Sequence, residues 1–338
     1  MIDLLVAGGG PAGLATAIHA ARAGLEVVAV ERRRGPVDKA CGEGLMPHAL
    51  RHLRRLGADP RGVPFQGITY LDGPRCVTGR FRSGPGLGVR RTFLHASLLD
   101  AATAAGVQIV HDEVGPVSQD ATTVRCGDFR ARYLAAADGL HSPIRAALGL
   151  SRPSAGPRRW GIRRHFAMKP WTDCVQVYWS AGAEAYVTPV AEDCVGVAIL
   201  TTRKGAFNEQ LEAFPALKAL VDGRAHGPDR AAGPLRQKVR SRTAGRVLLV
   251  GDAAGYVDAL TGEGLGIAFS AAELLVNCIG AGRVDDYDRQ WRRMSRRYRL
   301  LTAGVLHAST FPGLRSQIVP AAKIFPGVFT GVVNLLAD

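Results

Sequence analysis

The chain is 338 residues long and 47% hydrophobic, with 41 glycines, 19 prolines and a formal net charge of +14. Such a length buries a sizeable core divided between two structural units, and the composition is that of a folded α/β protein with many tight turns, not of a disordered or fibrous chain. The positive balance is read as arginine usage in a GC-rich genome, so no nucleic-acid partner is expected. Six cysteines (Cys41, Cys76, Cys126, Cys174, Cys194, Cys278) are scattered without CxxC spacing, which suggests neither a zinc site nor a disulfide framework. No apolar run reaches the ~20 residues of a membrane-spanning helix and the N-terminus opens directly into a strand, so a soluble cytoplasmic protein is expected.

The first predicted elements are a buried strand, a glycine turn, a small-residue helix and a second strand ending in an acid, in "DLLVAGGGPAGLATAIHAARAGLEVVAVER". Gly8, Gly10 and Gly13 fit G-x-G-x-x-G. The first allows the tight turn, the second lets a pyrophosphate reach the backbone, and the third lets helix and strand pack closely. Pro11 and Ala12 lie inside this turn, at a helix N-terminus suited to negative charge. Glu31 stands at the tip of the second strand, placed for ribose hydroxyls, with Arg32 beside it. An acid there favours FAD or NAD over NADP.

Next comes "DKACGEGLMPHAL", with Cys41 between Lys39 and Gly44. Arg91, Leu94 and Leu98 then fall on a predicted helix followed by a strand. An apolar strand runs into Asp138-Gly139, with Ser142 and Arg145 at the spacing D-G-x-x-S-x-x-R. Alternation in "RRWGIRRHFAM", "DCVQVYWSAGAEAYVTPV" and "DCVGVAIL" predicts antiparallel strands. Trp160, His165, Trp179 and Tyr186 on them are candidates to line an apolar pocket. His165 is a candidate general base or, on the plainer reading, a satisfied surface histidine. The strand Val247 to Val250 stops at Gly251-Asp252, and Thr261-Gly262-Glu263-Gly264-Leu265 opens a long small-residue helix. Last, "DRQWRRMSRRYR" carries arginines at 289, 292, 293, 296, 297 and 299. It reads as a solvated basic helix, or as a contact for a peripheral membrane surface or a carrier protein.

The glycine fingerprint, the D-G-x-x-S-x-x-R motif and the late G-D, in this order across residues 8 to 264, resemble the superfamily of FAD-dependent aromatic hydroxylases (group A flavoprotein monooxygenases) and geranylgeranyl reductases. The resemblance implies an α/β fold: a Rossmann-like FAD-binding domain of the glutathione reductase type, with an inserted antiparallel β-sheet substrate domain and short C-terminal helices. The expected boundaries are 1–60, 89–154 and 235–300 for the FAD domain, 61–88 and 155–234 for the substrate domain, and 301–338 for the C-terminal helical segment. It also implies tightly bound FAD, with NAD(P)H as a transient donor passing near Asp138-Gly139. Asp252 would accept from ribityl hydroxyls, and the helix after Gly262, Glu263, Gly264 and Leu265 would begin at the flavin ring, where its N-terminus favours the negative charge of reduced flavin. Arg91, Gly139 and Gly251 complete the expected cofactor set. Ala259 stands where the family usually has proline.

Two branches remain open at this level. Lys39-x-Cys41-Gly-x-Gly44 and Thr261-Gly-Glu-Gly resemble geranylgeranyl reductases, in which case Cys41 is a candidate catalytic proton donor; otherwise it is a small apolar residue beside a turn. Against the reductases stand the brevity of the C-terminal region and a partial aromatic–proline motif that keeps Tyr186, Pro189 and Gly196 but lacks the tryptophan and phenylalanine. The sequence is therefore read first as an NAD(P)H-dependent monooxygenase of an aromatic or polyketide-like lipophilic molecule in specialised metabolism. Reduction of an isoprenoid or enone C=C bond is the alternative. A non-catalytic flavin-binding redox module is a third reading, opposed by the intact D-G and G-D motifs.

Overall fold

The computed structural model describes residues 1–154 and 156–338. Residue 155, where the sequence reading starts the second piece of the substrate domain, lies outside the described residues.

Leu4, Leu5, Val6 and Ala7 are almost wholly buried. Such an unbroken apolar run is typical of a parallel strand covered on both faces. The strand Ile2–Ala7 pairs in parallel with Val27–Val30 on one side and Phe129–Ala136 on the other, and the sheet extends to Gln108–Val110 and Val247–Leu249. The hairpin Val117–Gln119 and Val124–Cys126 attaches to Phe129–Ala136. Helices Pro11–Arg22 and Gly264–Gly280 pack together against this sheet. The glycine turn, Asp138-Gly139 and Gly251-Asp252 follow the C-terminal ends of neighbouring parallel strands. Ligands of open α/β sheets bind at such ends.

The second sheet has the order Arg230–Ala232, Trp160–Ala167, Cys194–Thr201, Ala183–Ala191, Val175–Ser180, Gly67–Asp72, Arg75–Arg80. It is antiparallel except where Val175–Ser180 meets Gly67–Asp72 in parallel, a pairing that joins two distant stretches of chain. Alternation sorts its faces. Val187, Val195, Val197 and Ile199 pack with Phe207, Leu211 and Leu217 from two short helices. Val77, Val177 and Trp179 pack on Phe329 and Val333 of the C-terminal helices. A three-stranded sheet of Gly44–Leu45, Gly86–Gly88 and Val63–Phe65 packs on Ala183–Ala191 of the second sheet.

The basic run is not one free helix. Tyr287–Met294 and Arg296–Thr310 are separate helices that break at buried Ser295, whose hydroxyl donates to the Trp291 carbonyl at 2.9 Å. Trp291 is buried with the Arg242 guanidinium 3.7 Å from its ring centre, and Arg292 pairs with Asp288 at 2.8 Å. The boundary drawn at 300/301 thus falls inside a helix. Two more helices, Pro312–Ile324 and Pro326–Ala337, close the chain.

Candidate functional site

The glycine turn is built to meet an anion. Gly8 has φ +109°, and a Cβ there would sit 2.5 Å from the Ala137 carbonyl oxygen. Gly10 precedes the helix Pro11–Arg22 with no side-chain cap, and nothing lies within 4 Å of where its Cβ would be. The helix N-terminus therefore faces open space with its N–H groups unsatisfied. Glu31 follows Val30, and its Oε2 accepts from the Gly9 N–H at 3.0 Å. Arg32 points away, with its guanidinium 3.6 Å from exposed Glu113; Arg33 lines the cavity instead. Glu31→Ala should weaken FAD binding about ten-fold or more, by loss of a charged acceptor for the ribose, and leave the visible spectrum of the bound fraction unchanged. Titration of the apoprotein with FAD checks both; a shifted spectrum would place Glu31 elsewhere.

Asp138 accepts the Ile144 N–H at 3.0 Å through Oδ2, while its buried Oδ1 has no partner. Arg145 is buried and donates to the Leu140 carbonyl at 2.9 Å, the Ala253 carbonyl at 3.1 Å and Gln237 Oε1 at 3.0 Å. One guanidinium thus locks the D-G turn to the G-D turn. Gly251 and Asp252 begin a short 3₁₀ turn, Gly251–Ala254. Asp252 retains accessible surface because it faces the cavity. The surrounding protein raises its carboxyl pKa, against the pull of Arg91, Lys39 and Arg145. The cations favour its charged, accepting form. An unpartnered Asp138 oxygen, an open helix N-terminus and Asp252 on one cavity fit a dinucleotide such as FAD.

That cavity measures about 1050 Å³, just above the ~300–1,000 Å³ usual for ligand sites. Its polar end is walled by Gly10, Pro11, Ala12, Arg91, Asp138 and Gly139; Gly251, Asp252, Gly262, Gly264 and Leu265 continue the wall. Phe65, Ile68, Tyr70, Val177, Leu200 and Phe329 form the apolar end. Of the four substrate-side candidates only Tyr186 reaches this space, where its hydroxyl donates to the Leu260 carbonyl at 3.0 Å. Trp160 instead lies under Lys204, 5.3 Å from its ring centre. Trp179 is buried edge-on to Tyr70 at 5.2 Å, beneath the C-terminal helices.

His165 is neither on the surface nor turned to substrate. Its Nδ1 lies 2.9 Å from Arg163 Nη1 and its Nε2 2.5 Å from Glu43 Oε2. A guanidinium only donates, so Nδ1 accepts and Nε2–H donates to the carboxylate. Both ring nitrogens are committed, which removes His165 as a general base. Arg163 also pairs with Asp38. Glu43 completes the brace: its Oε1 accepts the Arg91 N–H at 2.8 Å and its own N–H lies 3.4 Å from Cys41 Sγ. Among the described residues Glu43 is the one non-glycine with positive φ, +59°. Such a conformation costs about 1–3 kcal/mol and persists only where the surroundings over-determine it. The brace therefore holds loop 38–44, and with it Cys41, against the substrate sheet. Cys41 lines the cavity, and burial pushes its thiol pKa up, so it stays protonated. The sequence alone assigns no role to Glu43 or Arg163, because the contacts that make the brace, Glu43 with His165 and Arg163 with Asp38, join residues more than a hundred positions apart.

Glu263 does not form part of the cavity wall. It is buried, its Oε1 has no partner, and burial raises its pKa to about 8. The folded form then holds a proton that the unfolded chain loses above its ordinary carboxyl pKa, so stability falls as pH rises from about 4.5 to about 8. The adjacent helix N-terminus favours the carboxylate and offsets part of this, leaving a difference on the order of 2 kcal/mol. Glu263→Gln should therefore raise Tm at pH 8 and change it little at pH 4; an equal shift at both would contradict the buried, neutral carboxyl.

A family described as "FAD binding domain" matches residues 1–66 and 90–281. The menaquinone reductase of Mycolicibacterium smegmatis is 30% identical over 330 residues, covering 86% of this chain and 79% of that protein. The digeranylgeranylglycerophospholipid reductase 1 of Methanothermobacter thermautotrophicus is 27% identical over 332 residues, covering 88% and 82%. Among solved structures, a flavoprotein/dehydrogenase from Cytophaga hutchinsonii superposes with TM-score 0.84 at 18% identity, over 99% of this chain and 92% of that one. The p-nitrophenol 4-monooxygenase of Pseudomonas putida superposes with TM-score 0.82 at 20% identity, over 96% and 94%. At these identities the structural matches speak to the fold alone.

Proposed function

The chain belongs to the FAD-binding-domain family and is an FAD-dependent oxidoreductase, and from that premise we propose that it reduces a carbon–carbon double bond of an isoprenoid-type lipid. The observation that carries this reading is the protonated Cys41 thiol on a braced loop, in the cavity that joins the cofactor motifs to the apolar wall. The relatives' names point the same way: menaquinone and digeranylgeranylglycerophospholipid both carry unsaturated isoprenoid chains. FAD held by the motifs at the polar end, once reduced by NAD(P)H, would supply the hydride for one alkene carbon. Cys41 gives its proton to the other, the nearby Arg91 and Arg163 charges favour the thiolate left behind, and solvent restores the proton. The apolar wall excludes water from the alkene, and Tyr186 ties that wall to loop 259–264.

Oxygen transfer to an aromatic ring, which the sequence analysis ranks first, is the second reading. The superposition on p-nitrophenol 4-monooxygenase supports its fold requirement, but a buried thiol has no task in it. Donor oxidation by the FAD-loaded protein discriminates between them. A geranylgeranyl lipid that carries no quinone should accelerate it with oxygen removed, and phenols should not. Acceleration by phenols alone, and only in oxygen, would reverse the order.

A further inference from the structure

We propose that the C-terminal helices form a membrane-docking face that seats the protein peripherally on an anionic lipid surface, with the mouth of the cavity turned toward the bilayer. Of the ten large apolar side chains that are exposed among the described residues, seven lie between Leu300 and Leu335. They are concentrated at the bend between the last two helices: Ile324 is 70% exposed, Phe325 60% and Val328 67%. The helix Pro326–Ala337 contains no charged residue. Its inner side, Phe329, Val333 and Leu336, is buried, with Val333 so close to the second sheet that a Cβ on Gly79 would come within 3.0 Å of it. Of its two polar side chains, Thr330 is half-buried and Asn334 bonds inward to the Arg80 carbonyl at 2.9 Å and to the Arg82 N–H at 2.7 Å. A helix apolar on both sides requires an apolar medium on the side the protein does not cover.

Charge identifies that medium. Residues 289–337 hold eight Lys and Arg and no Asp or Glu, with Asp288 and Asp338 on either side; Arg289, Arg292 and Arg315 pair with Asp286, Asp288 and Asp72, and the other five are Arg293, Arg296, Arg297, Arg299 and Lys323. Two of these cations stand among the exposed apolar groups: Lys323 adjoins Ile324 in the chain, and Arg297 donates to the carbonyl of Leu335 at 3.1 Å. A second copy of the same face would bring like charges together, whereas anionic headgroups complement them. The helices Pro312–Ile324 and Pro326–Ala337 have 13 and 12 residues and meet at 104°. At ~1.5 Å per residue each is about 20 Å long, short of the ~30 Å hydrocarbon core, so the pair lies in the interface and does not span. Phe325 and Val328 are at once exposed and part of the cavity wall. A lipophilic substrate can then pass from bilayer to cavity without crossing water. This last point rests on the lipid-reductase reading; the docking itself does not.

Vesicle flotation of the FAD-loaded full chain tests it. The protein should float with vesicles of phosphatidylcholine and phosphatidylglycerol, less with phosphatidylcholine alone, and less with either as salt is raised. Combined Ile324→Ser, Phe325→Ser and Val328→Ser should lower partitioning about ten-fold or more, and Lys323→Glu about five-fold, with flavin content retained. Absence of wild-type binding to anionic vesicles would overturn the proposal whatever the variants do. So would a triple variant that floats like wild type, or one that turns a dimer into a monomer without loss of flotation, which would mark the face as a contact between copies. None of these readouts needs turnover, so failure of the reductase reading leaves the test standing.

Discussion

Replacing Cys41 by serine should slow reoxidation of the reduced protein by an isoprenoid substrate about 10²–10⁴-fold, the usual loss on removing a general acid, while reduction of the flavin by NAD(P)H keeps its rate. The separation follows from the site. The Cys41 thiol is held protonated by burial, and loop 38–44 is fixed by the chain Asp38, Arg163, His165 and Glu43, which serine leaves in place. A serine hydroxyl fills almost the same volume but is a much weaker acid than the thiol it replaces. Stopped-flow measurement of the two half-reactions separates them. Equal slowing of both would mean that the substitution disturbs the flavin site, and no slowing of either would remove Cys41 from the chemistry.

Gly13→Val should yield a colourless, less stable protein. A Cβ at Gly13 would sit 1.8 Å from the Gly8 carbonyl oxygen and 3.2 Å from the Ala137 Cβ. The nearest atom is backbone of the phosphate-facing turn itself, so the side chain can be accommodated only by moving helix Pro11–Arg22 off the sheet or by opening the turn. Either displaces the N–H groups at the helix start. A destabilisation of roughly 3 kcal/mol, at the upper end for overpacking, is expected together with loss of retained FAD. Flavin released per chain and the urea midpoint report the two effects; a yellow variant with the wild-type midpoint would show that this turn does not carry the cofactor.

The cofactor half of the site was legible in the sequence because each of its motifs is local. Gly8 to Gly13, Asp138 to Arg145 and Gly251 to Asp252 each follow an apolar strand, and strand ends in a parallel sheet converge on one crevice. The substrate half was not legible, for three physical reasons. Alternation identifies the strands carrying Trp160 and Trp179 but does not say which face meets the cavity, and both side chains face elsewhere. The brace on loop 38–44 joins Glu43 to His165 across 122 positions and Asp38 to Arg163 across 125, and no local spacing encodes such a pairing. The break at Ser295 has no proline or glycine to announce it, so the basic run read as a single helix. Glu263 shows the limit of motif transfer: its neighbours Gly262 and Gly264 line the cavity, but its own carboxyl is buried away from it.

The central claim, that a reduced flavin and the Cys41 thiol together saturate an alkene in this cavity, is tested most directly by a single turnover. The purified FAD-loaded protein is reduced anaerobically, freed of donor, and mixed with a geranylgeranyl lipid that carries no quinone, while flavin absorbance and product mass are followed. Reappearance of oxidised flavin without oxygen, matched by product carrying two added hydrogens, is the predicted result. Flavin that stays reduced until oxygen is admitted, with product carrying an added oxygen atom, would contradict it.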